Sequence, residues 1–228
     1  MRLHLKQYTE PIFEQLAGYR ATLVDHPLLT AARAGKLSKE TLHEFAFHQY
    51  SDSILWIPML AQMKGMARKS TRLRKAIEDN IAHEAGLGTI SHVQLAVALM
   101  RSLGIADLEP FPTQTFARSA TLWLTDEFAN QSEPEVAGWL LVAETLVPLM
   151  FAALRPSFVG LGCDTRYFRE HIDVDTDEHS RWMAESVEDI LDLYGPACTG
   201  SIAAGMTDAW QETCEVPDSL WRKQCASH

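Results

Sequence analysis

The sequence has few of the features that mark nucleic-acid-binding or membrane-spanning proteins. Only 20 of its 228 residues are lysine or arginine, against 30 aspartates and glutamates, so the formal net charge is −10. Binding to a phosphate backbone needs clustered cations, and we therefore expect no nucleic-acid partner. No uncharged apolar run reaches the roughly 18 residues of a membrane span, and the first residues lack the apolar core of a signal peptide. These absences predict a cytoplasmic protein with no membrane partner.

Cysteine is also scarce, and its positions form no recognisable motif. The four cysteines have no CxxC spacing; they are Cys163, Cys198, Cys214 and Cys225. In a chain without a secretory signal, thiols spaced in this way are seldom paired. We expect buried or idle thiols rather than a disulfide framework or a zinc site.

Strand-like alternation is missing, whereas apolar residues recur at helical spacing throughout the chain. This pattern predicts an all-α protein, a single domain over residues 1–228 built as a bundle of about seven helices. A short helical piece should end at Gly35, and Ser38 is placed to cap the next helix. The predicted long helices, separated by glycine and proline, cover about 4–20, 38–70, 72–103, 113–130, 133–155, 165–194 and 198–214.

Methionines line one face of the second long helix. Leu55, Met59, Met63 and Met66 fall at i, i+4, i+8 and i+11, and Pro58 predicts a kink in the same helix. Core packing is the favoured interpretation of this face. A substrate cavity lined by flexible thioethers is the alternative.

Ligand-type side chains share the apolar face of the helix predicted over 165–194. Steps of four back from Met183 reach His179, Asp175 and His171, so these three residues lie on the face that enters the core. Two imidazoles and a carboxylate buried together are costly unless something satisfies them, and a metal ion does so directly. A solvated, acidic helical turn is the alternative interpretation.

A second apolar stripe also contains ligand-type residues. It runs back through His92 to Glu84, eight positions earlier. Side chains eight residues apart are not in line on a regular helix, and one extra residue taken up as a π-bulge would align them. Gly86 and Gly88 would ease that distortion or would break the helix. His83 points about 100° away from Glu84 and is expected to be exposed, and a plain surface carboxylate is the alternative for Glu84.

The third stripe contains one charged residue, Glu144, in a segment that is otherwise uncharged from Val136 to Leu154. A lone carboxylate buried there needs a cation or must hold a proton, and by itself it could be a catalytic acid. The three stripes together offer too many ligands for one tetrahedral zinc and suit two iron ions, although manganese or a mixed pair would bind similarly. The six predicted ligands are Glu84, His92, Glu144, His171, Asp175 and His179.

Two other iron arrangements have less support. A ferritin-like bundle needs two Glu-x-x-His motifs on separate helices. The chain has one obvious candidate, Glu40 with His43, at a helix start where an acidic residue favours the helix dipole anyway. Heme would need an axial ligand such as His26 or His48, and a lone histidine followed by proline, as at His26, is a poor basis for such a site.

Several segments resemble the heme-oxygenase-like superfamily, and within it the diiron oxidases and oxygenases, over roughly residues 20–195. His26-Pro27, G-K-L-S at 35–38 and F-A-F-H-Q-Y at 45–50 resemble the opening shared by that superfamily, which includes thiaminase II and the pyrroloquinoline-quinone synthases. Three further segments are similar to the metal-bearing helices of the diiron members: H-E-A-G-L-G-T-I-S-H at 83–92, E-T-L-V-P at 144–148 and Y-F-R-E-H-I-D-V-D-T-D-E-H at 167–179.

The resemblance implies a heme-oxygenase-like fold with iron held by the same six residues. It implies about two irons per chain, as Fe(II)/Fe(III), with O₂ as co-substrate in the oxidation of a small metabolite. An amine or amino acid of secondary metabolism is the favoured substrate, and a fatty acid is second. One departure from the family is that His179 follows Asp175 by four residues instead of three, which predicts a local bulge or a weakened site.

Tyr167 lies one turn before His171 and is the candidate catalytic residue, as a proton donor or as a support for that ligand. A packed core tyrosine is the alternative. Two other functions stay open: a thiaminase II-like or metal-free quinone-synthase-like enzyme with Glu144 as acid or base, and a non-catalytic iron-binding helical protein. Thiaminase relies on a nucleophilic cysteine in its helical core, and no cysteine here falls in the corresponding middle of the chain. The sequence leaves a homodimer open.

Overall fold

The computed structural model describes residues 2–87, 89–106, 131–173 and 179–226. Within these ranges the chain forms nine α-helices and one 3₁₀ turn, and no strand occurs there, so the all-α prediction is confirmed. The helices are α1 (Arg2–Val24), α2 (Pro27–Arg33), α3 (Lys39–Met66), α4 (Thr71–Glu84), α5 (His92–Ser102), α6 (Glu133–Gly160), α7 (Arg166–Asp173), α8 (Ser180–Tyr194) and α9 (Thr199–Ala226), with the 3₁₀ turn Pro196–Cys198 before α9. The helix predicted over 113–130 lies outside the described residues.

Serine caps define where four of the helices begin. Each cap side chain accepts a hydrogen bond from a backbone N–H of the first turn, which satisfies a donor that has no partner inside the helix. The caps of α3, α4, α5 and α6 are Ser38, Ser70, Ser91 and Ser132. At α5 the cap Ser91 also forms a reciprocal capping box with Gln94, so that His92 is the first residue of the helix.

α6 is the central helix of the bundle. Its length and composition alone would allow it to cross a membrane, but 78% of its apolar window is buried inside the protein. Its largest contact is with α9. Two glycines permit this close approach, because a Cβ on Gly138 would overlap the carbonyl oxygen of Ile202 and a Cβ on Gly205 would overlap that of Glu135. This packing carries Glu144 into the interior.

The helix predicted over 72–103 is divided in the structure. Its first part ends at Glu84, because Gly86 takes a positive φ of 71°, and α5 begins at His92. The expected π-bulge is therefore wrong, and the alternative, a break in the helix, is correct. The helix predicted over 165–194 appears as α7 and α8, with residues 174–178 outside the described part.

The methionine face of α3 packs mainly in the core. Met59, Met63 and Met66 are buried, and Leu55 is half-buried against the same core. Core packing is therefore confirmed for these methionines, and Met59 also lines a cavity that is described below. All four cysteines are free.

Candidate metal centre

Glu84, His92 and His171 meet in the interior from three helices. Glu84 is the last residue of α4, His92 is the first residue of α5, and His171 lies on α7. All three are buried, and one potential ligand atom of each lies within 4.8 Å of the others. Because the chain turns at Gly86, Glu84 Oε2 lies 2.7 Å from His92 Nδ1. The turn thus brings together two residues that a continuous helix would have kept apart.

The backbone of Tyr167 determines the tautomer of His171. His171 Nδ1 lies 2.8 Å from the Tyr167 carbonyl oxygen. A carbonyl oxygen only accepts hydrogen bonds, so Nδ1 carries the proton and Nε2 keeps the lone pair that a metal would need. The Tyr167 hydroxyl lies 3.1 Å from Ser53 Oγ in the core. The predicted catalytic role of Tyr167 stays a prediction, and its side chain lines a cavity beside the cluster.

Glu144 and His179 form a second buried pair of acid and imidazole. Glu144 Oε2 lies 3.0 Å from His179 Nδ1, and Glu144 Oε1 accepts a hydrogen bond from Asn80 Nδ2 at 2.5 Å. The His179 ring stacks on Trp182 with centroids 5.0 Å apart. Glu144 lines the same cavity as Glu84 and His171, so the pair lies beside the first three residues.

His83 lies against the cluster, and the expectation that it is exposed is wrong. Its side chain is 21% exposed, and its ring centroid lies 4.8 Å from that of His92 and 5.3 Å from that of His179. His83 Nε2 lies 3.2 Å from Glu170 Oε1 of α7. On an isolated helix the His83 side chain would point towards solvent. In the folded protein, α7 and α8 cover that side of α4.

The structure therefore brings together five of the six predicted ligands. Asp175 lies outside the described residues. Coordination of a metal by the six residues stays a prediction. Asn80 is a polar residue of the site that the sequence pattern does not single out. It lies one turn before Glu84 on the same buried stripe of α4.

Burial shifts the pKa values of Glu84 and His92 in the directions that favour the uncharged side chains. Burial raises the pKa of Glu84 to about 7, while His171 acts to lower it and Glu144 to raise it. Burial lowers the pKa of His92 to about 3, and His83 adds to that shift. His92 is thus neutral at physiological pH, as a metal ligand must be, whereas Glu84 must lose its proton to bind a metal fully.

The donor atoms of the cluster fit a metal ion. Both ring nitrogens of His92 are buried without a hydrogen-bond partner among the described residues, so the close approach of Glu84 is not a well-directed hydrogen bond. Buried polar atoms left in this state cost free energy unless a ligand or ion satisfies them. Carboxylate and imidazole are ordinary ligands of iron. Glu84, His92 and His171 would hold one ion, and Glu144 with His179 would contribute to a second.

Two adjoining cavities lie beside the cluster. The first has a volume of about 100 Å³ and is lined by Glu84, Glu144, Tyr167 and His171. The second has a volume of about 110 Å³ and lies between α3, α6 and α9. Each is several times the volume that one water molecule needs. The cavities share five lining residues, which are Gln49, Asp52, Trp56, Ala143 and Val147.

The profile of a family described as iron-containing redox enzymes matches residues 39–212, from the start of α3 into α9. The chain belongs to this family. The matched region includes every residue placed in the candidate centre, so the family description indicates iron and the buried donor set is compatible with a metal ion. A comparison with curated proteins finds no match.

Solved structures with the same architecture cover nearly the whole chain. A CADD-like protein of unknown function from Nostoc punctiforme is 17% identical, with a TM-score of 0.75 over 97% of this chain and 99% of that chain. A domain of unknown function with a heme oxygenase-like fold from Shewanella denitrificans is 16% identical, with a TM-score of 0.70 over 94% and 92%. A TenA homologue from Pseudomonas syringae pv. tomato is 14% identical, with a TM-score of 0.70 over 97% and 93%. At these identities the likeness shows the fold alone, and it confirms the predicted heme-oxygenase-like architecture.

Proposed function

We propose that this protein is an iron- and dioxygen-dependent oxidoreductase that oxidises a small organic metabolite beside Glu84, His92 and His171. The observation that carries the proposal is the buried group of one carboxylate and two imidazoles, with ligand atoms within 4.8 Å, in a member of a family of iron-containing redox enzymes. Bound iron supplies the redox chemistry towards dioxygen, which these side chains cannot perform by themselves. Glu144 and His179 add donors for a second ion, and we propose two irons per chain.

The surrounding residues orient the donor groups and shield them from water. The Tyr167 carbonyl holds His171 in one tautomer, and Asn80 orients Glu144 by donating to one of its oxygens. Phe151 packs against His171 with ring centroids 4.8 Å apart, which keeps water from that side of the imidazole. Tyr167 and Ser53 both line the first cavity and share a hydrogen bond through their hydroxyl groups, so Tyr167 can hold a proton near a bound substrate.

The thiaminase-like alternative has less support in the structure. Among the described residues, no cysteine lines either cavity beside the cluster. A metal-free hydrolase would therefore lack the thiol nucleophile that the thiaminase branch uses.

Anaerobic reconstitution with Fe(II) tests the proposal. We expect about two specifically bound irons per chain and a change in absorbance when the loaded protein meets dioxygen. His171→Ala should lose iron, whereas His48→Gln should retain it, because His48 is another buried histidine and lies outside the cluster. A wild-type protein that takes up no iron under these conditions would refute the proposed function.

A further inference from the structure

The second cavity combines two carboxyl groups with two indole rings. Asp52 of α3 and Glu212 of α9 line it from different helices. Trp56 and Trp139 line it as well, with ring centroids 5.8 Å apart. Among the described residues, no lysine or arginine lines this cavity or the first one. The space next to the candidate centre is therefore acidic and aromatic, without a fixed cation to balance it.

The carboxyl group of Asp52 is only partly satisfied. Its Oδ2 accepts a hydrogen bond from Gln49 Nε2 at 3.2 Å, whereas Oδ1 is buried without a partner among the described residues. Burial raises the pKa of Asp52 well above its usual range. Burial, helped by Glu215 and Asp208, raises the pKa of Glu212 to about 8. A cation that entered this cavity would stabilise the ionised form of both carboxyl groups.

We infer that the second cavity binds the ammonium group of an organic amine substrate, between Asp52 and Glu212 and against the indole of Trp56. This inference rests on the proposed function, because it places the remainder of the substrate in the first cavity, beside Glu84 and His171. Indole faces attract cations and repel anions. A carboxylate head group in the second cavity would meet two acids and no cationic side chain, and it would be buried there without a counter-charge. The cavity therefore selects an amine over a fatty acid.

On its α6 side, the wall that joins the two cavities is apolar. Ala143 and Val147 line both cavities, and Met59, Met150 and Val216 line the second. A short apolar segment of the substrate fits this passage. The end of the substrate that lies nearest the candidate centre is then the end that is oxidised. The apolar segment separates this end from the charged nitrogen.

Binding of three six-carbon ligands with different head groups tests the inference on the full-length wild-type chain. We would titrate n-hexylammonium, 1-hexanol and hexanoate into the anaerobic Fe(II)-loaded protein and into the metal-depleted protein. Tryptophan fluorescence reports on the cavity because two of the six tryptophans line it, and calorimetry gives the dissociation constants. We expect n-hexylammonium to bind at least about tenfold more tightly than the other two ligands to the metal-depleted form, in which no iron can hold the carboxylate of hexanoate.

Variants assign that preference to the two acids. Asp52→Asn and Glu212→Gln should each weaken n-hexylammonium binding about tenfold and leave 1-hexanol binding within about twofold. Glu188→Gln is the matched control, because it removes the same charge from an exposed position of α8 that lines neither cavity. It should change amine binding by less than about twofold.

Several results would overturn the inference. They are hexanoate binding to the metal-depleted form as tightly as the amine, no detectable amine binding to either form, and an unchanged amine affinity in the Asp52→Asn, Glu212→Gln double variant. The wild-type comparison of head groups decides the question even where a variant does not fold. A chain that prefers the amine but takes up no iron would contradict only the proposed function. A chain that takes up iron without preferring the amine would contradict only this inference.

Discussion

Each of the two carboxylate oxygens of Glu144 has its own partner. Asn80 donates to Oε1 and His179 faces Oε2, while the rest of the surrounding α6 is apolar. A buried carboxylate held from both sides is already oriented, so an ion would find this ligand in place. The same helix carries another buried acid, Glu133, which accepts hydrogen bonds from the backbone N–H groups of Lys69 and Ser70.

Replacing Glu144 should remove iron without unfolding the protein. In Glu144→Ala we expect the iron content after anaerobic loading to fall from about two to about one per chain, with loss of the reaction with dioxygen. Glu144→Gln keeps the shape of the side chain, but an amide is a poor ligand for iron, so it should show the same loss. Iron analysis, absorbance after exposure to dioxygen and circular dichroism would measure these effects.

Glu133→Gln is the matched control for these variants. It should lower the free energy of unfolding by about 1–2 kcal/mol, because its backbone partners lose a charged acceptor, and it should keep the full iron content. Full iron content in either Glu144 variant would show that Glu144 is not a ligand. Unfolding of both Glu144 variants would show that the carboxylate mainly stabilises the packing of the bundle.

At the scale of secondary-structure elements, the turn between α4 and α5 positions the candidate centre. Gly86 has a φ of 71°, and a Cβ built there would lie 2.7 Å from both Ser91 Cα and the carbonyl carbon of Ile90. Such contacts are too short for real atoms, so any side chain would push the start of α5 away. Because Glu84 precedes this turn and His92 follows it, the distance between these two residues depends on a glycine at position 86.

Gly86→Ala should therefore weaken iron binding as well as stability. Gly104→Ala is the control, since Gly104 has a φ of 81° with open space around it. Both variants should lose about 1–2 kcal/mol of unfolding free energy from the left-handed backbone. Only Gly86→Ala should weaken Fe(II) binding in an anaerobic titration. Equal iron affinity in the two variants would mean that the turn does not control the spacing of the two donors.

For the whole molecule, the buried acids predict how stability depends on pH. Glu212 has a pKa raised to about 8 from its usual 4.5, so the folded state binds more protons than the unfolded state between these values. The contribution of Glu212 to the free energy of unfolding of the metal-depleted protein should therefore fall as the pH rises from about 4.5 to about 8. Asp52 and Glu84 have raised pKa values and contribute with the same sign.

Glu212→Gln isolates the contribution of one of these acids. At pH 8 the variant should be more stable than the wild type by on the order of 4 kcal/mol, and at pH 4 the difference should nearly vanish because Glu212 is then mostly protonated in both states. Urea unfolding at a series of pH values would measure the difference. Glu188→Gln, at an exposed position of α8, should show no such trend. A difference that did not change with pH would contradict the assigned charge state of Glu212.

Local patterns in the sequence determined the helical class and most of the donor set. The apolar stripes that contain His171, His179 and Glu144 follow from a period of 3.6 residues, and serine caps mark the helix starts, because both signals act within a few residues of each other. The prediction that α9 ends near residue 214 was wrong. The helix continues through Pro217 to Ala226, and Gln224 accepts hydrogen bonds from Ser38 N and Thr41 Oγ1 at the start of α3.

Only the tertiary structure decided which side chains face one another. Asn80 reaches Glu144 across two helices, and Asp52 shares a cavity with Glu212 across 160 positions of sequence. The half-burial of His83 depends in the same way on the helices that pack over α4. The period of a single helix shows which face is buried but not which partner covers it. Contacts between distant residues follow from how the helices pack against one another, and that packing is a property of the assembled bundle.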